Sequence, residues 1–152
     1  MPIVGFNFDK LLVEKKKTLK APIKVDTGMK ILDVKKEEIA VAGKKESIIK
    51  FDYQFNVNYN KDEAEVVIAG HLLLAEDQKV IKEIYDKWKK EKKMEPNITQ
   101  AVMNNVLMKC NIKALLLTQE VGLPPHIRLP LVQQQAPQKA PVKKTKVDSY
   151  IG

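Results

Sequence analysis

The histidines and the cysteine of this sequence are the first candidates for acid–base, nucleophilic or metal chemistry: His71, His126 and Cys110. Neither histidine has a carboxylate or cysteine at the spacing of a metal site, and nothing in the sequence supplies a base to activate the thiol. We interpret Cys110 as a small core residue. Glycine-rich phosphate loops, Gly-x-Ser-x-Gly and paired carboxylates in apolar surroundings are also missing. The sequence therefore predicts neither an enzyme nor a bound metal or cofactor.

The residues at 49–59, IKFDYQFNVNY, alternate apolar and polar side chains without exception. Alternate side chains of a strand point to opposite faces, so this period of two predicts a strand with one apolar face. That face carries Phe51, Tyr53, Phe55 and Tyr59. Burial as core is the simpler interpretation, because apolar sheet faces are usually covered. In the alternative interpretation, part of the row stays open to an apolar ligand, a base or another chain.

Two strands are predicted before this stretch. The first covers residues 3–8. The second lies within residues 22–34, and the short apolar piece at residues 39–43 extends it past a turn. The apolar residues that share one face are Val4, Phe6 and Phe8 in the first strand, and Val25, Met29 and Ile31 in the second.

A fourth strand is predicted at residues 64–75. The polar residues 60–63 join it to the aromatic strand as a hairpin. Its apolar residues fall on both faces, which is typical of a strand that is covered on both sides. In so short a chain, we expect the second cover to be another subunit.

Two helices are predicted in the second half of the chain. The first begins after Asp77, a suitable N-cap, and ends near Met94, just before a proline. The second begins with Asn97 as N-cap and runs to about Val121, where Gly122 provides a left-handed stop. Four antiparallel strands followed by two helices predict an α+β fold.

The composition indicates one domain at residues 1–132 and a disordered tail at residues 133–152, rich in proline, glutamine and lysine. The net charge of +8 comes from lysines interleaved with glutamates, as in heat-adapted proteins. The single cysteine and the lack of a signal peptide or membrane-spanning run predict a cytoplasmic protein without membrane association. Nucleic acid is not an expected partner, because Arg128 is the single arginine and polar residues such as Asp52 separate the aromatics.

Residues 97–131 carry a resemblance to SecB, the bacterial export chaperone family. The long helix ITQAVMNNVLMKCNIKALLLTQEVGL is followed directly by PPHIRLPLV. The family likewise closes its second helix with a glycine or similar stop, a proline pair and an alternating apolar exit, here Ile127, Leu129 and Leu131. The order of strands and helices resembles the family over residues 3–132.

The resemblance implies a four-stranded antiparallel sheet with both helices on one face, and assembly into dimers and tetramers. It also implies that unfolded polypeptides are held without ATP in apolar and aromatic grooves, for which Phe51, Tyr53, Phe55 and Tyr59 are the candidate residues. Extended apolar segments would be buried there, with strand edges available for backbone pairing. The family is acidic and short-tailed where this chain is basic and long-tailed, so a role in docking to the secretion motor does not carry over.

The tail ends in KKTKVDSYIG, where Val147, Tyr150 and Ile151 follow a polar stretch. Their spacing is similar to that of the box by which proteins bind sliding clamps, with Lys144 in place of the leading glutamine. An accidental apolar end is the alternative interpretation, because short motifs often match by chance.

The leading hypothesis is thus a non-enzymatic, SecB-like homo-oligomer that binds extended apolar polypeptide. The second hypothesis is an adaptor that is tethered through its tail to a sliding clamp or a nucleic-acid complex. The third is a structural subunit of a larger complex.

Overall fold

The computed structural model describes residues 2–132 and residue 134, and within this part the predicted α+β order is confirmed. The strands pair antiparallel throughout, in the sheet order β1-β4-β3-β2, so β1 and β2 form the two edges. The tail predicted at residues 133–152 lies outside the described residues, apart from Gln134. The elements are β1 (Ile3–Lys15), β2 (Val25–Val41), β3 (Lys44–Tyr59), β4 (Ala64–Ala75), α1 (Gln78–Glu91) and α2 (Pro96–Glu120).

β2 is one continuous strand, so the turn predicted before residues 39–43 was wrong. The charged residues 35–38 remain paired with β3, because an edge strand tolerates charge where an inner strand does not. A bulge at Leu32 shifts the alternation, and Val34 thereby faces the core. The turn lies at Ala42 and Gly43, whose φ angles of 52° and 79° are typical of a two-residue hairpin loop.

β1 extends well beyond the predicted residues 3–8 and contains two bulges. The first bulge lies between Ile3 and Gly5. It brings Ile3 against the core and leaves Val4 52% exposed, so the prediction that Val4 shares a face with Phe6 and Phe8 was wrong. Phe6 packs against the core as predicted. A bulge inserts one unpaired residue, which is why strict alternation fails at these points.

The hairpin predicted at residues 60–63 is confirmed. Asn60 adopts a left-handed φ of 49° there, and its side chain joins the hairpin to the loop after β1. Its Oδ1 accepts from the Lys24 amide at 2.7 Å, and its Nδ2 donates to the Lys20 carbonyl at 2.9 Å. Even-numbered residues of β4 are buried and odd-numbered residues are half-buried, so within one chain the strand is fully covered on one face.

α1 ends three residues before the predicted position. Asp77 is its N-cap residue as predicted, although its side chain makes no capping hydrogen bond. The helix ends at Glu91 because Lys92 adopts a left-handed conformation, with φ of 54°. The chain therefore leaves the helix before it reaches Met94.

α2 begins earlier than predicted. Its N-cap is Glu95 and its first residue is Pro96, so the assignment of Asn97 as the cap was wrong. Proline is favoured at the first helical position, because its missing N–H would have no partner there. The predicted stop is confirmed, since Gly122 follows the helix with a φ of 70°.

Both helices cover the same face of the sheet. α1 lies against β2 and β3, and α2 lies against β4, β1 and β3. Every fourth residue of α2 is buried, and a spacing of four keeps side chains on one side of a helix. The buried residues are Ile81, Ile84 and Trp88 of α1 and Ile98, Val102, Val106, Cys110, Ala114 and Thr118 of α2.

Gly70 of β4 makes room for a hydrogen bond that crosses β4 and joins β3 to β1. The Tyr53 hydroxyl of β3 donates to the Asn7 carbonyl of β1 at 3.0 Å, although β4 lies between these two strands. A Cβ at Gly70 would clash with the Asn7 carbonyl oxygen and would lie 2.6 Å from the Tyr53 hydroxyl. The bond therefore depends on the missing side chain.

The segment that follows α2 is anchored by two hydrogen bonds. The Tyr59 hydroxyl donates to the Pro124 carbonyl at 2.6 Å. His126 is buried, and its Nε2 donates to Asn111 Oδ1 at 2.7 Å, while its Nδ1 is buried without a partner among residues 2–132 and 134. Burial lowers the pKa of His126, because the charged imidazolium loses its hydration.

We expect Gly70→Ala to lower the free energy of unfolding by about 2 kcal/mol, the order found for overpacked cores. The added methyl group must displace both the Asn7 backbone and the Tyr53 ring. Urea denaturation measures the change. Gly28→Ala is the control, because a Cβ there meets only the Asn56 side chain, at 3.2 Å. Equal stability of Gly70→Ala and wild type would contradict this account.

We expect the stability of the wild-type protein to fall more steeply than that of His126→Gln as the pH is lowered from about 7 to 5. The folded-state pKa of His126 is below the ordinary value of 6.5, so the unfolded chain takes up the proton first. The stabilisation that the buried neutral ring provides is complete above the ordinary pKa of 6.5, and it is lost as the pH falls below that value. Its slope is at most about 1.4 kcal/mol per pH unit. Urea midpoints of both proteins across this range test the expectation, and parallel pH profiles would refute it.

Candidate functional site

The aromatic row of β3 forms the interior between sheet and helices. Phe51, Tyr53, Phe55 and Tyr59 each have 0% exposed surface. Burial raises the pKa of Tyr59 to about 12, which keeps its hydroxyl protonated as a donor. The row offers no open groove in the closed fold, and it offers no platform for stacked bases. Contact of these four rings with a polypeptide stays a prediction that requires the helices to move away from the sheet.

Cys110 is a core residue, as predicted. It is fully buried in the four-residue line of α2. Burial raises the pKa of its thiol to about 12, although the hydrogen bond with Tyr53 acts in the opposite direction. A thiol with so high a pKa is a poor nucleophile at neutral pH, because the thiolate is the reactive form.

His71 meets a carboxylate that its sequence neighbours do not supply. Its Nδ1 lies 2.7 Å from Asp9 Oδ2, and its Nε2 lies 3.1 Å from the Asn7 side-chain amide. Asp9 sits in the second bulge of β1, which is why the pair was not foreseen. Within residues 2–132 and 134, no three histidine, cysteine or acidic side chains are close enough to hold a metal ion.

The lysine-rich loop between β1 and β2 lies beside acidic residues of the β3–β4 hairpin. Lys17 pairs with Asp62 at 3.6 Å, and Lys16 pairs with Glu65 of β4 at 3.3 Å. Such exposed pairs contribute little to stability, but they offset charge locally. The loop therefore carries less positive potential than its sequence suggests.

An apolar cavity opens where α1 ends, α2 begins and β2 passes beneath them. We call it the Trp88 pocket. Its volume is about 390 Å³. Because β2 is an edge strand, the pocket adjoins an edge of the sheet. Its lining consists of Ile31, Trp88, Met94, Thr99 and Met103, together with Lys92 and Lys93.

The Trp88 pocket combines apolar walls with positive charge. The Trp88 Nε1 is buried, and no group within residues 2–132 and 134 accepts a hydrogen bond from it. The Lys92 ammonium lies 5.5 Å from the centre of the Trp88 ring. The sequence analysis missed this site, because its members lie in three elements. Two methionines and the single tryptophan near one helix–helix connection were the available signal.

A row of apolar residues on the outer side of α2 is exposed. We call it the α2 stripe; it consists of Met108, Ile112 and Leu116, which are 57%, 58% and 52% exposed. Their spacing of four residues places them on one side of the helix. Neither described helix is both long and apolar enough to cross a membrane. The α2 stripe is thus an apolar surface that residues 2–132 and 134 leave uncovered.

The motif proposed at Lys144, Val147, Tyr150 and Ile151 lies outside the described residues. Clamp binding through this motif stays a prediction.

The fold is similar to that of a SecB-like chaperone from Mycobacterium tuberculosis, solved in complex with a ChAD peptide from an antitoxin. The TM-score is 0.52, the similarity covers 89% of this chain and 92% of that chain, and the sequence identity is 8%. No model of a known protein family and no curated protein sequence matches this chain. At such low identity, the similarity concerns the fold. The SecB-like resemblance predicted from residues 97–131 is confirmed at that level: this chain has the SecB-like fold.

Proposed function

We propose that this protein is a chaperone-like homo-oligomer that binds extended apolar polypeptide segments without a catalytic step. The observation that carries the proposal is the Trp88 pocket beside the free edge of β2. The SecB-like chaperone of similar fold was solved with a peptide, which supports a polypeptide as the ligand class.

The edge of β2 supplies the backbone part of the site. A strand edge presents N–H and C=O groups to which an extended peptide adds as a further strand. Alternate side chains of the added strand face the helices, and Ile31 of β2 lines the pocket on that side. A client side chain that lies beside Ile31 and faces the helices can therefore reach the cavity.

The lining of the Trp88 pocket suits a variety of apolar side chains. Met94 and Met103 have flexible, polarizable side chains that adapt to different shapes. Burial of one large apolar side chain contributes about 1.5–3 kcal/mol, so a single pocket binds weakly. Firm holding then requires several pockets on one client, which several subunits provide.

The charge of the site favours clients with acidic residues near their apolar segments. Lys92 and Lys93 complete the pocket lining, and the whole chain has a net charge of +8. Charge of one sign around a site attracts ligands of the opposite sign and speeds their association.

A cytoplasmic location is part of this proposal.

The α2 stripe supplies the surface for assembly. A helix that is apolar on its outer side as well as its inner side needs a cover on both. The matching stripe of a second subunit provides that cover with the same residues, as two-fold symmetry requires.

We expect the protein to suppress aggregation of a chemically unfolded client at equal subunit ratio, and Met103→Glu to weaken client binding about tenfold. A carboxylate in the apolar pocket costs at least the ~1.4 kcal/mol that this factor represents. Light scattering and a fluorescent extended peptide measure the two effects. Gln100→Glu is the matched control, because it adds the same charge one turn away, at an exposed position. Lack of suppression by the wild type would refute the proposal.

We expect Ile112→Lys to shift the protein to smaller assemblies, because it places a charge in the centre of the α2 stripe. Size-exclusion chromatography with light scattering gives the mass. Gln100→Lys adds the same charge to an exposed position outside the stripe and is expected to leave the mass unchanged. A monomeric wild type would rule out the oligomer.

A further inference from the structure

We call residues 122–132 the exit segment; as far as His126, it runs back along the sheet in the direction of the Trp88 pocket. It meets Tyr59 at Pro124 and then Phe55 at His126, whose ring centres are 6.0 Å apart. Since Phe55 precedes Tyr59 in β3, the exit segment travels in the direction opposite to that of β3.

The same direction leads to the residues that line the pocket. Tyr53, the next residue of the aromatic row, pairs with Ile31 of the pocket wall. On α2, His126 lies beside Asn111, and Met103 is eight residues nearer the N-terminus, about 12 Å along a helix. About four extended residues cover such a distance.

The chain beyond the exit segment is long enough to return to the pocket. Tyr150 lies sixteen residues beyond Gln134, which is a span of up to about 53 Å at 3.3 Å per residue. A ligand that is tethered to its own site acts at an effective concentration on the order of millimolar. Even a weak contact would therefore be populated.

The end of the tail carries side chains that suit the lining of the Trp88 pocket. Tyr150 carries a ring that can pack against the apolar side chains of the pocket lining. Ile151 offers apolar surface to the methionines. Asp148 offers a carboxylate to Lys92, which lines the same pocket.

We propose that residues 147–151 occupy the Trp88 pocket of their own chain and compete with client polypeptide for it. This inference rests on the proposed function, because it treats the pocket as the client site. The tail then acts as an internal substitute for a client, and an incoming client must displace it.

Trp88 is the single tryptophan of the chain and therefore reports on the pocket by its fluorescence. The experiment compares full-length wild type with Tyr150→Ser/Ile151→Ser, and uses Val142→Ser as a control in the same tail. Acrylamide quenching of Trp88 is measured, and client affinity is measured with a labelled extended peptide. A synthetic peptide of residues 143–152 is then added to the double variant.

We expect the double variant to show stronger quenching of Trp88 and a client Kd about three to ten times lower than wild type, as a tethered competitor predicts. Val142→Ser is expected to behave as wild type, and the added peptide is expected to restore protection saturably. Equal quenching in all three proteins, together with an inert peptide, would overturn the inference. A difference that disappears on dilution would also overturn it, because the tail would then bind a second copy.

The outcomes separate the inference from the proposed function. If wild type and double variant bind the client with the same Kd, the client site stands and the competition is refuted. If neither protein binds the client, the proposed function fails, whatever Trp88 shows.

Discussion

The covering of one sheet face by two helices is the constraint on which the rest of the structure depends. β3 and β4 place an unbroken set of apolar side chains on that face, and water must be excluded from all of it. α2 excludes water from its part of the face with a line of buried side chains, one at every fourth residue. Cys110 and Ala114 in that line are small, which lets the helix lie close above the large rings of β3. The aromatic row is therefore part of the hydrophobic core.

The edges of the sheet obey a different rule. β1 and β2 carry charged side chains and three bulges between them, whereas β3 and β4 pair in regular register with each other. Irregular, charged edges resist pairing with other copies of the same chain. The function that we propose uses this edge, because the Trp88 pocket lies beside β2.

The Trp88 pocket forms where β2, α1 and α2 meet. Ile31 comes from an edge strand, Trp88 from the last turns of α1, and Met103 from the first turns of α2. No local pattern unites these residues, because they are far apart in sequence. The sequence analysis missed the pair of His71 with Asp9 for the same reason, and their contact also depends on a bulge in β1. Peptide binding is the function that the sequence predicts, and its assignment to the aromatic row stays a prediction for side chains that the helices cover.

The sequence by itself determined the order of the elements, the hairpin at residues 60–63 and the stop at Gly122, because alternation, helical spacing and glycine conformation are local properties. It also determined that Cys110 belongs to the core. The tertiary structure decided which apolar residues stay exposed, since that depends on how far two helices reach across a sheet. Phe51 and Met108 are both apolar, yet one is sealed and the other faces outward. Their difference comes from the neighbours that folding brings to each, and a sequence pattern does not contain those neighbours.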